Sequence, residues 1–103
     1  MTILIDEARW RHSDRLWCHL VSDASLDELH AFAEANQIPR RGFHGDHYDI
    51  PEEYRDGLIV AGASVVESRE LIRRLKAAGL RLSAGQRRAF TNVDARPADR
   101  AGS

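Results

Sequence analysis

The sequence predicts an α/β fold: one small domain over residues 1–82, with a roughly four-stranded mixed, mostly parallel sheet and three helices in the order β-β-α-β-α-β-α. Three observations lead there. Short β-branched or apolar runs alternate with longer runs at helical spacing, the pattern of strands joined by right-handed crossovers. The helical runs carry start and stop signals. A chain of 103 residues, 43% apolar and 30% charged, has room for one core.

Thr2-Ile3-Leu4-Ile5 is the first strand, ended by Asp6-Glu7. Residues 8–15 show neither period and read as a loop. Leu16-Trp17-Cys18-His19-Leu20-Val21 is the second strand, apolar on both faces and therefore central. It sets Leu16, Cys18 and Leu20 on one face and Trp17, His19 and Val21 on the other. The link of eight residues before it is too short for a helical crossover, so the first two strands pair antiparallel. Ser25, with Glu28 three positions on, forms a capping box for a helix to about Asn36 that turns Leu26, Leu29, Phe32 and Ala33 inward. Residues 37–46, with Pro39, Gly42 and Gly45, form a loop. His47 to Ile50 is a third strand, its His47 and Asp49 opposite in direction to Tyr48 and Ile50. Pro51 opens a second helix, with Glu52 and Glu53 at its positive end, which stops by Gly62. Residues 63–66 are a fourth strand. Ser68 caps a third helix over 69–78, with Leu71, Ile72 and Leu75 inward and Gly79 as its stop. Residues 83–103 are poor in large apolar groups and read as a disordered tail.

The 15 basic and 16 acidic side chains leave a net charge of −1, which supplies no global field for nucleic acid or an anionic membrane. The charge is asymmetric: residues 1–68 carry six basic and thirteen acidic groups (net −7), residues 69–103 nine basic and three acidic (net +6). The single cysteine, Cys18, excludes an internal disulfide and a multi-thiolate zinc site. No apolar run reaches membrane length, and no basic leader precedes the first strand, so the cytoplasm is the expected compartment and no membrane partner is expected. The standard dinucleotide, nucleotide, esterase and metalloprotease signatures are absent. In so small a core, dimerisation or a bound ion is an expected source of added stability.

The densest polar constellation is Phe43-His44-Gly45-Asp46-His47-Tyr48-Asp49. Imidazole nitrogen and carboxylate oxygen suit a divalent transition metal, and positions i and i+2 of a strand, here His47 and Asp49, converge on one ion. The plainer reading has Asp46 and Asp49 capping turns and the histidines on a solvated loop. His19, in the most apolar strand, needs a partner or a ligand role if buried. Asp6 and Asp23 each follow a strand. With the first strand antiparallel, Asp6 is expected near Asp46 and His47, and Asp23 with Asp49 and Ile50, and which carboxylate joins the histidines stays open. Cys18 and His19 point to opposite faces and share no proton. Arg40 and Arg41 beside Phe43 are candidates to hold a phosphate or stack on a base, and Trp10, Trp17, Phe43 and Tyr48 to form an aromatic wall. The third helix is basic, with Arg69, Arg73, Arg74 and Lys76, and Arg81 follows it.

The runs Ile3-Leu4-Ile5-Asp6-Glu7, Trp17-Cys18-His19-Leu20, Asp27-Glu28-Leu29-His30, Pro39-Arg40-Arg41, Gly45-Asp46-His47-Tyr48-Asp49-Ile50-Pro51, Gly62-Ala63 and Ser68-Arg69-Glu70-Leu71 together resemble an uncharacterised domain-of-unknown-function family of short bacterial and tailed-phage proteins. The resemblance spans residues 1 to about 82. It implies a shared polar site drawn from Asp6, Cys18, His19, His30, Arg40, His47, Tyr48 and Asp49. Two positions depart from the family pattern: Asp6-Glu7 replaces Asp-Asp, and His44 stands where relatives carry Gln, which takes it out of the expected ligand set.

The first functional expectation is metal-assisted hydrolysis of a phosphorylated or nucleotide-like substrate. His19, His47 and Asp49 hold the metal, Asp6 joins them as a catalytic group, Arg40 neutralises phosphate, and Tyr48 or His30 support the ligands. The alternative is a non-catalytic module that docks protein or nucleic acid on the basic third helix. A third expectation makes the histidines a metal-free pH sensor.

Overall fold

The computed structural model describes residues 2–8, 10–83 and 86. The tail expected over 83–103 lies outside the described residues except at Ser83 and Gln86. The chain forms strands β1 (Ile3–Ile5), β2 (Trp10–His12) and β3 (Arg15–Ser22), helix α1 (Leu26–Ala35), strand β4 (Tyr48–Pro51), helix α2 (Arg55–Val60), strand β5 (Ser64–Val65) and helix α3 (Ser68–Ala77). Short 3-10 turns occupy Arg40–Gly42 and Glu52–Tyr54.

β3 is the axis of the sheet, as its two-sided apolar pattern predicts. One edge pairs antiparallel with β4, and the other pairs antiparallel with β1 and then β2, while β5 adds parallel to the outer side of β1. The small α/β domain with three helices and a mixed sheet is therefore as expected, but the sheet has five strands and one parallel ladder rather than a mostly parallel arrangement. The reason is topological. β3 alone runs against the other strands, and because it sits centrally it makes most of the pairings.

The fifth strand lies in the segment read as a loop. Ser13 and Asp14 take φ values of 54° and 61°, the left-handed pair of a type I′ turn, and so join β2 to β3 as a two-residue hairpin. Asp tolerates that region, but the pair lacks the Asn-Gly signature, and three residues are too few to show alternation.

Helix ends follow side-chain chemistry. Ser25 caps α1 by accepting the Glu28 amide at 3.1 Å, whereas the Glu28 carboxylate turns to Ser22 Oγ at 2.5 Å instead of closing the box on Ser25. α3 starts one residue earlier than expected, with Glu67 rather than Ser68 at its cap, which releases the Ser68 hydroxyl for another role. Its end is a Schellman motif: Gly79 at φ +77° lets its own amide reach Lys76 and that of Leu80 reach Leu75.

The two sheet faces are unequal. Ile3, Ile5, Cys18, Leu20, Tyr48 and Ile50 pack beneath α1 and α2 against Leu29, Ala33 and Leu58. On the other face Leu4 and Val21 form a smaller cluster with Leu71 and Leu75 of α3, flanked by Val66, Ile72 and Leu80. That smaller cover stops partway along β3, and the polar residues His19, Asp49 and Asp6 lie where it stops.

Candidate metal centre

His19 on β3 is in register with Asp49 on β4, so both side chains stand on the face that α3 half covers. His47 immediately precedes β4, and its Nε2 lies 3.1 Å from Asp49 Oδ1. One ligand atom from each of His19, His47 and Asp49 lies within 4.8 Å of the others. The i, i+2 spacing of His47 and Asp49 thus delivers the convergence that strand geometry predicts. Asp49 Oδ1 is buried and, among the described residues, has no aligned hydrogen-bond partner. The His47 ring faces this oxygen, so a bound cation would take the place of the imidazole proton there.

Each imidazole is fixed through Nδ1 by a buried carboxylate. Asp6, 1% exposed, accepts from the His19 backbone amide at 2.6 Å, faces His19 Nδ1 at 2.8 Å, and accepts the Ser68 hydroxyl at 2.7 Å. Asp46, fully buried, faces His47 Nδ1 at 2.6 Å and accepts the Leu82 amide at 2.9 Å, with Arg81 at 3.7 Å. This is the carboxylate–histidine pairing that sets the tautomer and leaves Nε2 for an ion. His44, outside the ligand set, braces Asp49 through Nε2 to Oδ2 at 3.1 Å.

Burial alone would raise the Asp6 carboxyl, but the His19 ring and amide and the Ser68 hydroxyl hold it below the usual carboxylate range. Asp46 is lowered likewise, burial being outweighed by His47, the Leu82 amide and Arg81. For His47, burial opposes the charge, yet the Asp46 and Asp49 carboxylates prevail and push its pKa up to about 9.

The expected site residues divide between the two faces. His19, His47, Asp49 and Asp6 come together. His30, Tyr48 and Arg40 line a different recess on the α1 side, where His30 Nδ1 and the Tyr48 hydroxyl are 2.8 Å apart. Tyr48 alternates with Asp49, so its ring enters the core. Tyr48, His30 and Arg40 therefore lie apart from His19 and His47, whose neighbours are Asp6, Asp46, Ser68 and Arg81. Asp6 is engaged by the His19 amide, the His19 ring and the Ser68 hydroxyl. Asp23 is not near Asp49: it ties the Thr2 amide at 2.8 Å to Arg74 at 2.6 Å, while Asp49 belongs to the histidine group. Cys18 packs in the core on the face opposite His19, and burial pushes its thiol up to about 12.

Sequence reasoning missed Ser68 as a partner of Asp6, and it named Trp10 for an aromatic wall without placing it beside His19. The Trp10 ring lies parallel to that of His19, with centroids 5.6 Å apart and planes at 4°. The Asp46-His47 adjacency was a usable signal for the second anchor; nothing in the spacing marks Ser68.

Fold and site together define a small α/β domain with a polar centre at the boundary of a half-covered sheet face. The chain belongs to the family described as a protein of unknown function (DUF4031), whose profile matches residues 3–78. No curated protein and no solved structure matches it. Among the described residues, no helix is long and apolar enough to cross a membrane.

Proposed function

We propose that His19, His47 and Asp49 bind one divalent transition metal, and that the protein uses it to hydrolyse a phosphorylated or nucleotide-like substrate. The observation that carries this reading is the pair of carboxylate-anchored imidazoles converging on the buried Asp49 carboxylate oxygen. Three protein ligands leave positions for water and substrate, as in catalytic rather than structural sites. The ion would supply a water of lowered pKa and a Lewis acid for the phosphoryl oxygens. Hydrolysis there would break the ester P–O bond, with the hydroxyl ending on phosphorus and the proton on the leaving oxygen. Arg81, which lines a recess of about 240 Å³ with His19 and His47 and lies 3.7 Å from Asp46, would meet phosphate charge there.

The docking-module alternative has less support. Arg73 is held by Glu70 through two hydrogen bonds, and Arg74 by Asp23, which withdraws two cations from the α3 surface.

Elemental analysis of gently purified protein, followed by equilibrium dialysis against zinc and manganese, tests the reading. One equivalent bound by the wild type and none by His47→Ala, with phosphoester hydrolysis lost alongside, is the expected result. Unchanged metal binding in His47→Ala, or no binding by the wild type after metal is added back, refutes it.

A further inference from the structure

We propose that the larger recess next to this centre binds a nucleoside monophosphate, the base against Trp10 and Trp17 and the phosphate toward Arg41. For its chemistry this inference rests on the metal reading above; for binding it rests on the recess alone.

The recess has a volume of about 750 Å³ and is lined by Trp10 and Trp17 from the β2–β3 hairpin, Arg41 from the loop before β4, Asp49 and His44 from the centre, and Tyr54. That volume lies within the usual range for small-ligand sites. Trp10 is 41% exposed and Tyr54 52%, so large rings are held open to solvent instead of closing into the core. An exposed ring wall of this kind suits stacking on a base. Because Trp10 is stacked on the His19 ring, the wall adjoins one of the ion's proposed ligands. Arg15, also in the lining, is engaged by Glu53 at 3.2 Å, while Arg41 is exposed and pairs with no carboxylate among the described residues. Rings, a cation and an adjoining ion site are three separate features that one ligand, a base carrying a phosphate, would use together. A polymer is less suited, since Arg73 and Arg74 are already engaged elsewhere and the net charge is −1.

Both tryptophans of the chain line the recess, so intrinsic fluorescence reports on it directly. The test titrates the full chain with adenosine monophosphate, adenosine, ribose phosphate and a short oligonucleotide, with and without manganese. Saturable quenching by the monophosphate is expected, with adenosine and ribose phosphate each weaker by about tenfold or more. Trp10→Leu, read through Trp17, weakens the monophosphate about tenfold and Trp10→Phe restores most of it; Arg41→Ala weakens the monophosphate but not adenosine. If Trp10→Leu does not fold, Arg41→Ala and Tyr54→Ala, both on the exposed rim, carry the test. The proposal is overturned if ribose phosphate matches the monophosphate, if the ring variants bind as wild type, or if the oligonucleotide binds tenfold more tightly than the monophosphate. Ring-dependent binding with no bound metal would sink the metal reading alone; metal binding without quenching would sink this inference alone.

Discussion

Replacing Asp6 by asparagine preserves shape and removes charge from the most heavily used acceptor in the site. Asp6 accepts three hydrogen bonds within 2.6–2.8 Å, from the His19 amide, the His19 ring and Ser68. In Asp6→Asn one oxygen still serves the His19 amide, but the other becomes an NH2 group. The Ser68 hydroxyl can rotate to accept from it, whereas His19 Nδ1–H can pair only by moving its proton to Nε2. Losing one charge-assisted bond in a buried setting costs about 2 kcal/mol, a large fraction of the roughly 5–15 kcal/mol that holds a domain together. The misplaced proton also blocks the ligand nitrogen, so metal affinity falls by about 10- to 100-fold. Urea unfolding of the metal-free protein reads the first effect, and competition with a chromophoric chelator reads the second. A variant within about 0.5 kcal/mol of wild type, still binding metal within about twofold, refutes the anchoring argument. Lost stability with unchanged metal affinity would make Asp6 structural only.

Further outcomes follow from the same geometry. Tyr48→Phe removes the hydroxyl facing His30, on the other side of the sheet, and is expected to cost about 1 kcal/mol in urea while leaving metal affinity within twofold. Cys18, buried and pushed up to about 12, is expected to resist alkylation in the native protein and to react fully in denaturant, as mass spectrometry will register. In the metal-free protein, Asp6, Asp23 and Asp46 are all lowered, so their stabilisation is present above the ordinary carboxylate range and is lost as pH falls through their folded values. His47 is raised to about 9, so its contribution is complete below about 6.5 and is lost as pH climbs through 9. Thermal melts across pH should therefore show a mildly acidic maximum, and a melting temperature rising steadily to pH 10 would contradict it. Below pH 9, each ion bound should displace a proton from His47, a release that calorimetry in buffers of different ionisation enthalpy measures.

The elements written in apolar period were legible: β1, β3, α1 and α3 fall within a residue or two of the pattern that predicts them. So was the convergence of His19, His47 and Asp49, because His47 and Asp49 sit at strand spacing and His19 is an imidazole in an apolar strand. What local pattern does not encode is which distant segments meet. β2 was hidden by a turn of Ser13 and Asp14 whose left-handed backbone is set by the hairpin rather than by residue preference. His30, Tyr48 and Arg40 share motifs with His19, His47 and Asp49, yet strand alternation sends Tyr48 through the sheet to the opposite face. Ser68 reads as a helix cap, and only the position of β1 beside α3 turns its hydroxyl to Asp6.

The proposed ligands come from β3 and from the start of β4: His19 opposes Asp49 across the β3–β4 ladder, and His47 stands two residues before Asp49. A slip of one residue between those strands would turn the donor set to the other face, among Cys18, Leu20 and Ile50. An ion at this position would therefore act as a proofreader of strand alignment, rewarding only the in-step sheet and clasping residue 19 to residue 49 across the chain between them. Metal supply during synthesis would then influence how many molecules reach the folded state as well as how many are active.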